Sequence, residues 1–407
     1  MPHTYGGRGS RGFRPTLTAA VLVAALAVTV TGCGSDDEPE ASDAGASEQP
    51  AKNGKGAGDE DLGVPDKLPE SLPTSMEDLD AWRDGAWKEW DRDEWLREAA
   101  DFVNPYIEDH WKPSRMRKAE ENEKRVAKDV ASTSAQGKTD PEPRATRAVG
   151  VSAPYTRNAA PTGKIFMETP KGPMVCSGTV VQDPRNPGRS NLVATAGHCV
   201  HSGKSGGWLR NISFVPAYND RGLSAAELRT AQPEQVAPYG EYWAEWAQTT
   251  AYWIKNGAAV GGGGSQQDFA VLQVKSVGQD GKSLEETVGA AVAVNFQAPD
   301  ADRVKGVSAY GYPAARPYDG TKLYRCTDRP GRLTIDPSQA PLHRIGCTMT
   351  GGSSGGGWLI NGKRGKPELV SVTSIGPNPA RWLAGPRLGE EAKGAFEAIS
   401  KRYAGRN

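Results

Sequence analysis

The decisive stretch is Thr195-Ala196-Gly197-His198-Cys199, reached from the β-prone run Asn191 to Ala194. Two further blocks follow it in fixed order, Asp268-Phe269-Ala270-Val271-Leu272 and Gly352-Ser353-Ser354-Gly355-Gly356. Together they supply a base, a carboxylate and a nucleophile. A serine hydroxyl is a poor nucleophile at neutral pH, so it needs a histidine to take its proton. A buried carboxylate must then fix the imidazole tautomer and favour the imidazolium. Two backbone N–H groups must also converge on the oxyanion without side chains in the way, and Gly352 and Ser354 are the expected donors.

Each block alone has an ordinary structural explanation, and their order and separation carry the reading. The pattern Gly352-x-Ser354-x-Gly356 also fits the nucleophile elbow of α/β-hydrolases, which place the acid and the histidine after the serine. The histidines are His3, His110, His198, His201 and His343, and none follows Ser354. The elbow reading fails on that count.

On these three blocks the chain resembles the trypsin-like, chymotrypsin-fold serine peptidases, in particular bacterial secreted members related to the glutamyl endopeptidase group. The resemblance runs from about Val149 to the C-terminus. It implies a mainly β domain, 148–407, of two antiparallel β-barrels with a C-terminal helix packed on the second. By resemblance His198 is general base and then general acid, Asp268 orients it, and Ser354 forms an acyl-enzyme that water hydrolyses. The implied substrates are proteins or peptides, and no metal or organic cofactor is implied.

The resemblance also locates a primary pocket. Its base lies six residues before the nucleophile, at Thr348, and its wall is Thr373-Ser374-Ile375-Gly376. Ser374 and Gly376 are expected to offer backbone groups to an extended peptide bound as an added strand. No Asp sits at Thr348 to attract Lys or Arg, and Thr373 stands where glutamate-preferring relatives place a His. An uncharged residue is therefore the expected preference. Ser353 replaces the Asp that pairs with a freed amine in digestive enzymes, so that activation switch cannot work here as an ion pair. Gly357 stands where Pro is usual, and a more flexible start to the following strand is expected there.

The 407 residues carry 49 basic and 49 acidic side chains, a balance that offers nucleic acid no whole-chain field. Near the N-terminus Arg8, Arg11 and Arg14 precede an apolar run from Leu17 to Val30 and then Thr31-Gly32-Cys33, which reads as a secretory signal over 1–32. The small residues before Cys33 resemble a bacterial lipoprotein box. That resemblance implies lipidation of Cys33 and anchoring to the outer face of the cell membrane, with plain secretion as the alternative. Of the five cysteines, four remain when Cys33 is set aside, and four allow three pairings. The favoured one joins Cys176 to Cys199, clamping the His198 loop as in the family, and Cys326 to Cys347, bracing the approach to Ser354. Each closure is expected to contribute ~3 kcal/mol.

Residues 33–75 are acidic and poor in aliphatic side chains, and read as a disordered tether. Residues 76–147 read as a helical propeptide or spacer with a linker. Leu79, Trp82, Ala86 and Trp90 fall on one helical face, Trp95, Phe102 and Val103 extend the apolar set, and Ser114 to Val130 reads as a solvated helix. Trp82, Trp87, Trp90, Trp95 and Trp111 are too many to leave wet, so this module is expected to pack on itself or on the enzyme domain. It would then assist folding or cover the cleft. Ser132 to Arg147, with Arg144 and Arg147, is an expected processing site. The alternative reading of the whole chain is a catalytically inactive protease-like binding protein at the cell envelope.

Overall fold

Thr162–Thr169 (β1) shows why the sheets form where they do: Ile165 and Met167 join the main core, whereas Phe166 between them joins a second cluster with Val215 and Tyr218. That period of two, with both faces buried, is the mark of a strand inside a closed sheet. The structure is a computed structural model, and it describes residues 101–103, 110–121, 125–126, 138–278, 281–362 and 365–406. The expected signal, Cys33, the tether, and Trp82, Trp87, Trp90 and Trp95 lie outside these residues.

The first barrel continues with Gly172–Val181 (β2), Leu192–Thr195 (β3), Arg210–Pro216 (β4), Tyr242–Thr249 (β5) and Ala270–Ser276 (β6). Antiparallel pairing runs β1-β2-β3-β6-β5-β4, and β4 returns to β1. The ring therefore closes, and the stretches of β2 and β5 that it leaves unpaired take up short strands from ahead of the barrels. After β5 the chain forms a short helix at Ala251–Asn256 before it enters β6.

The second barrel is built from Val307–Gly311 (β7), Tyr324–Asp328 (β8), Leu342–Gly346 (β9), Gly357–Asn361 (β10), Pro367–Val372 (β11) and Trp382–Gly385 (β12). One ladder runs β11-β10-β7-β8 and the other pairs β9 with β12. The Cys326–Cys347 disulfide and the Ile375–Ala384 bridge tie the two ladders together. The fold is thus mainly β, with two antiparallel barrels and a C-terminal helix.

That helix, Glu390–Arg402 (α1), packs on β5 and β6 of the first barrel rather than on the second, which corrects the expectation. Ala392, Phe396 and Ile399 turn inward, Ser400 donates to Asp183, and the Arg402 guanidinium lies over the Trp246 ring. The helical period identifies the apolar face but not the surface that receives it.

The segment ahead of the barrels is also corrected where it is described. Phe102 and Val103 lie in the strand Asp101–Val103, which pairs with β5. Within Ser114 to Val130 there is no continuous helix among the described residues, only the short helix Pro113–Met116 and the strands Glu120–Glu121 and Arg125–Val126. Sheet edges of the barrels outcompete the local helix preference of this charged stretch. Trp111 does pack on the barrel domain, 5.5 Å from the Phe166 ring, and its indole N–H donates to the Asn211 carbonyl at 2.6 Å.

The expected linker is likewise strapped down from Lys138 onward. Asp140 forms a bidentate pair with Arg332, and Val149–Gly150 pairs with β8. Arg144 packs its backbone carbonyl against Gly346, so the expected processing site is held against the second barrel.

Candidate active site

β3 ends at Thr195, and the chain turns through a single 3₁₀ turn, Gly197–Cys199, that carries His198. Cys199 is joined to Cys176 in β2 and anchors this turn to the barrel, as favoured from the sequence. Asp268 sits immediately before β6, the neighbour of β3 in the barrel. The barrel ladder itself therefore brings these two residues together.

Asp268 is fully buried and bonds His198 twice. Its Oδ1 accepts from the His198 backbone N–H at 2.8 Å, and its Oδ2 lies 2.8 Å from the imidazole Nδ1. A carboxylate at Nδ1 favours the tautomer that carries its proton on Nδ1 and presents Nε2 as an acceptor. A third bond comes from Ser374, whose hydroxyl donates to Oδ2 at 2.5 Å. The sequence assigned Ser374 only to substrate binding, and nothing local in Thr373-Ser374-Ile375 signals its contact with a residue 106 positions away.

Ser354 is docked from the second barrel onto the first. Its carbonyl accepts from the Ser177 N–H at 2.7 Å, and the Ser177 hydroxyl donates to the Gly352 carbonyl at 2.9 Å. A Cβ on Gly355 would stand 2.1 Å from Thr195 Oγ1, so only glycine lets the Ser354 loop lie this close to the strand that leads to His198. Gly352 has φ +93°, a conformation L side chains rarely adopt, and its space is bounded by the Tyr312 carbonyl and Ala314. Its N–H and that of Ser354 donate to no protein acceptor among the described residues.

A pocket opens beside Ser354, lined by Met349, Thr350, Thr373, Ile375, Gly376, Ala380 and Leu383 with the Ser354 loop. Its lining contains no charged side chain. Thr373 takes its place in the wall and accepts from the Trp358 indole N–H at 2.9 Å. Thr348, the expected base, is not among the lining residues. Its hydroxyl accepts from the Ala148 N–H and bonds Tyr318, and its N–H donates to Thr146, all outside the pocket. Met349 and Thr350 line the cavity in its stead.

Ser353 turns its hydroxyl back onto the Thr350 carbonyl at 2.7 Å and is 1% exposed, so it braces the loop from inside. Gly357 is not a point of flexibility. A Cβ there would meet Thr179 Oγ1 at 2.5 Å and Leu369 Cδ1 at 2.8 Å, so its smallness is required by barrel packing. The ligand atoms of Cys176, His198 and Cys199 lie within 4.8 Å of one another, but the two sulfurs are spent in the disulfide and offer no thiolate to a metal.

No family model and no curated protein matches the chain. Among solved structures it is similar to the thermostable serine protease AL20 from an extremophilic microorganism, at 31% identity over 60% of this chain and 98% of that one, with a TM-score of 0.48. It is also similar to the protease Anisep from Arthrobacter nicotinovorans, at 28% identity over 62% and 99% of the two chains (TM-score 0.49). A third likeness is to a Glu endopeptidase, at 17% identity over 64% and 98% (TM-score 0.45).

Proposed function

We propose that the chain is an extracytoplasmic serine endopeptidase, anchored through a lipidated Cys33, that cleaves peptide bonds by way of an acyl-enzyme. The observation that carries the reading is the buried Asp268–His198 pair together with a serine loop docked across the two barrels, against the strand end that leads to His198.

In this mechanism His198 Nε2 takes the Ser354 proton as Oγ attacks the scissile carbonyl carbon. The imidazolium so formed is stabilised by Asp268, whose charge is held in place by the His198 backbone N–H and the Ser374 hydroxyl. The oxyanion is received by the N–H groups of Gly352 and Ser354. His198 returns its proton to the leaving amine, and a water activated by the same imidazole then releases the acid.

The pocket lining sets the side chain accepted on the acyl side of the bond. Desolvating a Lys, Arg or Glu there without a counter-charge costs several kcal/mol, so uncharged residues are preferred. Thr373, Ile375 and Gly376 form its wall.

Incubation of the full chain and of Ser354→Ala with a fluorophosphonate probe tests the reading. Labelling of the wild type alone supports it. A wild type that stays unlabelled, with Val126→Asp equally inert, favours the inactive binding protein instead.

A further inference from the structure

Two short strands ahead of the barrels lie against the two edges that flank the catalytic centre. Glu120–Glu121 pairs in parallel with Met174–Val175, the part of β2 that leads directly into Cys176 and its disulfide to Cys199 beside His198. Arg125–Val126 pairs in parallel with Gly376–Pro377, two residues beyond the Ser374 that bonds Asp268.

Direction is the informative property. Met174 to Cys176 runs towards the centre, and Ser374 to Pro377 runs away from it. Two parallel partners therefore approach the centre along β2 and leave it along Gly376. A productive substrate must run the other way. Its acyl-side residue fills the pocket walled by Thr373 to Gly376, so the residues N-terminal to it follow the Gly376 edge. Its leaving group lies where His198 can protonate it, on the β2 side.

We propose that Glu120–Glu121 and Arg125–Val126 are a built-in, reverse-running occupant of the substrate cleft, with Val126 filling an aliphatic subsite. Val126 is 4% exposed and packs with Ile335, Leu333, Ile375 and Trp382. The chemistry of that subsite suits a small β-branched side chain. Both described stretches run opposite to a productive peptide, so along each edge their N–H and C=O positions are exchanged relative to a substrate's. As an inhibitor it rests on the peptidase reading above.

Anchors on both sides keep the occupant at high local concentration. Upstream, Trp111 and Met116 are buried against the first barrel, and Arg115 bonds the fully buried Glu168 at 2.6 Å. Downstream, Asp140 holds Arg332. Tethering at both ends makes rebinding intramolecular and favours the closed state.

The test is the rate of fluorophosphonate labelling of the full chain. Val126→Asp places a charge in the aliphatic subsite and is expected to label about ten-fold faster than wild type or more, as the open population rises. Val126→Ile should stay near wild type. Equal, measurable rates for wild type and Val126→Asp would overturn the proposal.

A second variant guards against misfolding of the first. Glu120→Cys with Met174→Cys joins two register partners and is expected to give a linked peptide by mass spectrometry. The linked protein should label about ten-fold more slowly than Glu120→Cys alone. No linked peptide, or equal and measurable labelling, would overturn the proposal. A linked peptide with no labelling of any variant would keep the occupied cleft and sink the peptidase reading.

Discussion

The Ser374 hydroxyl donates to Asp268 Oδ2 at 2.5 Å and thereby shares a carboxylate oxygen with the His198 imidazole. The second barrel thus helps to fix the carboxylate that holds His198, as well as supplying Ser354. Hydrogen bonds to a charged group are worth about 1.5–3 kcal/mol. Ser374→Ala is expected to lower kcat about 10- to 100-fold with KM nearly unchanged, because the interaction matters most when the imidazolium forms. Steady-state kinetics on a peptide substrate check this, and a change confined to KM would contradict it.

Acid should weaken the fold through buried imidazoles. Burial, and secondarily the neighbouring Arg210, lowers the His201 pKa from 6.5 to about 3. Burial lowers that of His343 to about 4, against a smaller opposing effect of the Pro299 carbonyl. Both are neutral when folded and charged when unfolded through that interval. Stability is therefore full above pH 6.5 and falls as pH drops towards about 3, with a slope of about 1.4 kcal/mol per pH unit for each group while it is fully mismatched. Denaturant melts of wild type and His201→Gln between pH 7 and 4 measure it. The variant should show the shallower acid limb.

Gly357→Ala is expected to destabilise the chain by about 1–3 kcal/mol, since the added Cβ collides with Thr179 and Leu369. Urea unfolding reads the change. An unaltered midpoint would mean that the barrel relaxes around the methyl group.

A peptide library should show an uncharged side chain on the acyl side of the cut, because the lining of the pocket offers no counter-charge. A kcat/KM for Lys, Arg or Glu within about ten-fold of the best uncharged residue would contradict this, since the expected desolvation cost exceeds 1.4 kcal/mol.

What was legible in the chain was what local sequence encodes. The blocks around His198, Asp268 and Ser354 and the β-prone run Asn191 to Ala194 all follow from short-range pattern. The partners of those elements did not. Glu120 finds Met174, and Arg125 finds Gly376, across long stretches of chain, and a run of Lys, Arg and Glu gives no hint that sheet edges will claim it. Thr348, six residues back from Ser354, lies outside the cavity, whose lining takes Met349 and Thr350. The role of Ser374 was hidden for the same reason: a hydroxyl in a strand shows its partner only once the barrels have met.

Ser177 joins more than it first suggests. Its N–H holds the Ser354 carbonyl, its hydroxyl holds the Gly352 carbonyl, and the Tyr312 N–H donates to that same hydroxyl at 2.9 Å. The neighbour of a disulfide cysteine in one barrel therefore sets the position of the serine loop in the other. The connection between the barrels adds a second tie: Val292 bonds Val180 and Gln182 of the first barrel, and Ala293–Val294 pairs with β11 of the second. A change of length there would pull on both barrels at once, and through them on the serine loop that Ser177 holds.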